Sequence, residues 1–233
     1  MFAEMAEDGE RIKYFAQKEG TRYLKEVMRG NASGTAMGYR LYEAQRTRNR
    51  YLIWFNPEKM LRQRVSKDAV GAALLVNQDD GGRMVACMHK RREMSGRVLV
   101  AQDCLDIITP HFLSRYRERI GGDIAQNDPL SLIASFCGRN MSYVIAMPLD
   151  IINRNHGKYT DGAAYQVTDG IVFVSTKTVT DVDGRPLTVS RWNTFLSYRD
   201  LKEDQRDNIF PDIDVDLFMS AQRALYDSIQ SRK

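Results

Sequence analysis

Apolar residues recur at near-helical spacing through Ile12, Phe15, Ala16, Tyr23, Leu24 and Val27 among alternating charges, which predicts an amphipathic helix up to about Arg29, weakened by Gly20. Gly30-Asn31-Ala32-Ser33-Gly34 reads as a linker. The expected organisation is therefore an N-terminal helical segment over residues 1–30 followed by one domain over residues 35–233. A second helical stretch is expected between the linker and Tyr51. The unbroken run Tyr51-Leu52-Ile53-Trp54-Phe55 predicts a buried strand closed by Asn56-Pro57. Ser66 suits the cap of a helix reaching Val76, and Asp79-Asp80-Gly81-Gly82 turns the chain into Arg83 to Lys90. That segment pairs with Arg97 to Ile108 as a hairpin through Ser95-Gly96.

Thr109 and Pro110 then mark a helix start, as N-cap and first helical residue, for a helix running to Ile120 before Gly121-Gly122. A shorter helix is expected from Pro129 to Cys137. Ser142 to Met147, Ala163 to Thr168, Ile171 to Val179 and Leu187 to Leu196 are strand-like, with Asp169-Gly170 and Asp183-Gly184 as turns, and predict an antiparallel meander. Asp214 to Gln230 carries an apolar stripe and predicts a closing helix. The order of elements predicts an α+β fold, an antiparallel sheet with helices packed on one face.

Charge sharpens this picture more than composition does. The 233 residues are 43% hydrophobic, enough for a sizeable core. Residues 1–120 hold 22 Lys and Arg against 15 Asp and Glu, whereas the remainder holds 12 against 15. The basic half, with Arg46, Arg48, Arg50, Arg62, Arg64 and Lys90 to Arg92, suggests nucleic acid as a partner. No run is apolar enough to cross a membrane, and the acidic start, Met1 to Asp8, lacks the order of a signal peptide, so a cytoplasmic location and no membrane partner are expected. Cys87, Cys104 and Cys137 are odd in number and far apart, and predict buried thiols rather than disulfides or a zinc site.

The candidate chemistry centres on the helix after Thr109. Spacings of four place His111, Arg115 and Arg119 on one side, with Phe112, Leu113, Tyr116 and Ile120 on the other. An imidazole that titrates near neutral pH beside two guanidinium forks suits a phosphate group, and the free N–H groups of a first helical turn favour an anion. The same pattern also describes a solvated basic face in which His111 is only a capping or core histidine. His89 beside Lys90 lies outside any HExxH or HxH pattern, Asp212 to Asp216 lacks the rest of a calcium loop, and no Walker or dinucleotide glycine motif occurs. No cofactor and no metal are expected.

The string His111 to Ile120, the short helix after it, Tyr165, the strand around Gly170 to Val174 and Trp192 to Ser197 together resemble the layout of the ribonuclease superfamily that links barnase, EndoU nucleases, colicin nucleases and RelE toxins. The resemblance covers residues of about 105 to 200. It implies metal-independent RNA cleavage, in which a 2′-hydroxyl attacks the adjacent phosphorus while one group takes a proton and another protonates the leaving oxygen. It implies His111 in one proton role, with Arg115 and Arg119 on the phosphate. For the second role His156, in a loop with Lys158 as an added phosphate contact, competes with Tyr198 and Thr194 at the end of the last strand. The alternative is a non-catalytic nucleic-acid-binding or protein-binding module of a mobile element, with RNA, another nucleic acid or a protein as its partner.

Overall fold

The computed structural model describes residues 1–32, 37–63, 69–77, 83–95, 98–120, 128–141, 144–146, 162–181 and 183–200. The chain divides into two compact units, Met1–Tyr198 and Arg199–Lys233. The first is α+β. Its elements are α1 (Phe2–Met28), β1 (Gly38–Glu43), β2 (Arg50–Phe55), α2 (Pro57–Gln63), β3 (Val70–Asn77), β4 (Arg83–Ser95), β5 (Val98–Ile108), α3 (Pro110–Ile120), α4 (Pro129–Asn140), β6 (Ile145–Ala146), β7 (Gly162–Val167), β8 (Gly170–Thr180) and β9 (Pro186–Ser197). The strands form one nine-stranded sheet in the order β1-β2-β3-β4-β5-β9-β8-β7-β6. Every neighbouring pair is antiparallel except β5 with β9, which run parallel from Asp103 opposite Leu187 to Ile108 opposite Trp192.

Helices cover both faces of this sheet, a correction to the expected single covered face. Side chains alternate along β2, and its two sets enter two different cores. Tyr51, Ile53 and Phe55 pack with Met5, Ile12, Ala16 and Tyr23 of α1 and Met60 of α2. Leu52 and Trp54 pack with Phe112, Leu113 and Tyr116 of α3 and Leu132, Ile133 and Phe136 of α4. A strand buried on both sides needs no polar alternation, which is the reason the run Tyr51 to Phe55 is apolar throughout. One charged side chain fastens α1 to its face. The carboxylate of Asp8, 2% exposed, accepts hydrogen bonds from Thr47 Oγ1 at 2.7 Å, Tyr51 Oη at 2.8 Å and Asn49 Nδ2 at 3.3 Å. Burial, and then the bond to Asp8, push the Tyr51 phenol far above its ordinary value and keep it a donor.

Two expected helices are strands. The stretch before Tyr51 contains β1, whose residues pair along the full edge of β2, from Gly38 opposite Phe55 to Glu43 opposite Arg50. The stretch from Ser66 to Val76 contains β3, which sits between β2 and β4. Its composition, Val70-Gly71-Ala72-Ala73-Leu74-Leu75-Val76, has ample helical propensity. Two flanking strands whose backbone groups need partners override that propensity. Gly71 is required by packing: a Cβ there would stand 2.1 Å from the indole ring of Trp54. Trp54 is 7% exposed and held within the core, so Gly71→Ala is expected to destabilise the protein by about 1–3 kcal/mol. A shift of the urea midpoint at constant slope would measure it.

The hairpin of β4 and β5 forms as expected, with Val85 opposite Ile108 and Ser95 opposite Val98. The meander of β7, β8 and β9 forms too, and the parallel joint to β5 makes β9 a central strand. The turn at Asp79 to Gly82 and the closing helix from Asp214 to Gln230 lie outside the described residues.

Candidate nucleic-acid interface

The helix from Pro110 to Ile120 forms with the predicted sidedness. Thr109 Oγ1 accepts from the backbone N–H of Phe112 at 3.2 Å, capping α3, and donates to the carbonyl of Trp192 on β9 at 3.0 Å. One hydroxyl thereby ends a strand, starts a helix and fixes the helix start to the sheet. Phe112, Leu113 and Tyr116 are buried, and Ile120 packs against the same core. Phe112 meets Phe136, Trp192 and Phe195 edge-on, with ring centroids 5.0, 5.6 and 6.1 Å apart.

A buried polar knot holds the helix in place. The carboxylate of Asp169, in the turn between β7 and β8, accepts from Tyr116 Oη at 2.7 Å, Asn140 Nδ2 at 2.9 Å and Arg139 Nε at 2.9 Å, with Arg139 Nη2 on its other oxygen. Asn140 Oδ1 accepts from the Asp169 backbone N–H at 3.0 Å. Burial pushes the Asp169 carboxyl up, but the bonds from Arg139, Tyr116 and Asn140 outweigh it and hold the carboxyl below its ordinary value. The knot ties α3, α4 and the β7–β8 turn together. Sequence reading placed Tyr116 in the core and Asp169 in a turn; their partnership spans 53 positions and has no local signal.

On the outer side, His111, Ser114, Arg115, Arg117 and Glu118 are exposed and Arg119 is partly so. Glu118 Oε2 takes Arg115 Nη1 at 3.0 Å, and Glu118 Oε1 takes Ser114 Oγ at 3.3 Å. Such an exposed pair is worth about 0–1 kcal/mol, so a phosphate can displace it. Arg119 Nη1 donates to the carbonyl of Phe195, which anchors the far end of α3 on β9.

The rivals for a second proton-transfer group fall away from His111. Thr194 is opposite Phe173 in register, while its neighbour Phe195 belongs to the core under α3, so alternation puts Thr194 on the other face of the sheet. Tyr198 Oη donates to the carbonyl of Val167 at 2.9 Å. That carbonyl lies two residues before Asp169, whose carboxylate binds Tyr116, so Tyr198 belongs with the knot rather than with the helix start. His156 and Lys158 lie outside the described residues.

A second polar cluster escaped sequence reading. Asp106 is fully buried and sits in register with Cys87 on β4 and Ser190 on β9. The hydrogen bond with Cys137, together with burial, pushes the Cys87 thiol well up, and the negative charge of Asp106 adds to this. Cys87, Cys104 and Cys137 are buried and form no disulfide, and the Cys87 thiol, held protonated in this way, is inert. Ser190 Oγ and Trp192 Nε1 are buried without a hydrogen-bond partner among the described residues. Among the described residues no three His, Cys, Asp or Glu side chains gather to hold a metal ion, and no helix is long and apolar enough to cross a membrane.

No family model, no curated protein and no solved structure matches this chain.

Proposed function

We propose that this protein binds RNA through the outer face of α3, with Arg115, Arg117 and Arg119 on backbone phosphates and His111 at the capped start of the helix. The observation that carries the reading is the anchoring of α3. Thr109, Tyr116 and Arg119 hold both ends and the middle of the helix to the sheet and the Asp169 knot, so the cations are presented on a rigid support. The three α3 contacts alone are expected to contribute about a 20-fold weakening of single-stranded RNA binding between about 50 and 200 mM salt, at a slope of about 0.7 each. Arg115→Gln with Arg117→Gln is expected to cost about 25-fold in affinity near 0.1 M salt by the same rule. Fluorescence anisotropy with labelled oligouridylate reads both. Binding that is independent of salt, or equal in the double variant, refutes the assignment to α3.

A second reading is metal-independent RNA cleavage with His111 as one proton-transfer group. The exposure of His111, one helical turn from Arg115, favours it. Of the proposed partners for the second proton, Thr194 and Tyr198 stand elsewhere, which leaves His156, with Lys158, to supply that group under this reading.

A further inference from the structure

The outer face of α1 carries a feature that the α3 reading does not use. Arg11, Lys18 and Lys25 are seven residues apart, so they line up along one side of the helix over about 21 Å, with Arg22 beside them. All four are exposed. This side lies opposite Ile12, Ala16 and Tyr23, which are buried against the sheet. Arg22 pairs with Glu19 and Glu26, but among the described residues Arg11, Lys18 and Lys25 make no ion pair. The nearby carboxylates have other partners: Glu7 pairs with Arg46, Glu10 with Lys13, and Glu19, 12% exposed, and Glu26 with Arg40. Between the cations stands Tyr14, a large aromatic side chain left 71% exposed.

We infer that this stripe is a second contact surface for single-stranded RNA, with Arg11, Lys18 and Lys25 on successive parts of the phosphate backbone and Tyr14 stacking on a base. The inference rests on the reading that RNA is the partner, but on a surface across the sheet from α3. A straight row of cations that make no ion pair among the described residues complements a linear polyanion, and an aromatic ring among them accepts any base. An anionic membrane fits less well, because the apolar side of α1 that insertion needs is committed to the sheet.

The test is Arg11→Gln/Lys18→Gln/Lys25→Gln, built into the unmutated protein and into the Arg115→Gln/Arg117→Gln variant, so that the two surfaces are read separately. Glutamine preserves helix propensity, and these side chains are exposed, so an unchanged melting curve accompanies each variant. In the α3-variant background the triple change is expected to weaken oligouridylate binding about 100-fold near 0.1 M salt and to lower the salt slope by about 2. Tyr14→Ala is expected to cost about 5-fold or more, and photocrosslinks from 4-thiouridine RNA should map to the peptide holding Tyr14. Equal binding with and without the triple change overturns the α1 inference while leaving α3 standing. Absence of RNA binding by the unmutated protein overturns both. Binding to phosphatidylserine-containing vesicles that depends on the three cations, with RNA binding unaffected by them, assigns the stripe to membranes instead.

Discussion

Asp169→Ala is expected to lower the stability of the protein by about 3 kcal/mol, more than a typical point substitution. The change leaves Tyr116 Oη and Asn140 Nδ2 buried without their acceptor, each at a cost of about 1–3 kcal/mol. Arg139 adds less, because its side chain is 45% exposed and regains water. Tyr116→Phe removes a donor instead of the shared acceptor and is expected to cost only about 1 kcal/mol. Acidity offers an independent measure. The folded Asp169 carboxyl lies below its ordinary value, so its contribution is complete above the unfolded pKa of about 3.9 and is lost as pH falls through the lower, folded one. Stability of the unmutated protein should therefore fall more steeply below about pH 4 than that of Asp169→Asn. Equal urea midpoints for Asp169→Ala and the unmutated protein would show that the knot does not hold α3.

Under the cleavage reading, His111→Ala is expected to reduce RNA cleavage by about 100- to 10,000-fold, the usual loss when a positioned proton-transfer group is removed. The products should end in 2′,3′-cyclic phosphate and form in the presence of EDTA, since the reaction proposed uses no metal. His111 is exposed, so folding should be unchanged. Rescue of the His111→Ala rate by added imidazole would separate a proton role from a binding role. Cleavage that persists in His111→Ala, or is abolished by EDTA, removes the catalytic reading and leaves RNA binding intact.

Legibility in the sequence followed the range of the interactions. The cap at Thr109, Pro110 at the helix start and the i, i+4 spacing of His111, Arg115 and Arg119 are local, and α3 has the expected limits and sidedness. The long periodicity of α1 and the turns that divide β7, β8 and β9 were legible for the same reason. β1 and β3 were not, because the decisive partners of Gly38–Glu43 and Val70–Asn77 are the backbone edges of β2 and β4. Nor could the site's supports be read, since Tyr116 and Asp169 are 53 positions apart and are brought together by the fold rather than by any local pattern.

By itself, the order of residues determined which segments carry an apolar side, where α3 begins and which side of it bears the cations, all through contacts within four positions or so. The tertiary structure alone decided that β9 lies parallel to β5, that helices cover both sheet faces, that Asp169 binds donors from three distant residues and that Thr194 faces away from His111. Those outcomes depend on which strand edges and which apolar faces meet, and each such meeting is chosen by the burial and backbone pairing of the whole assembly.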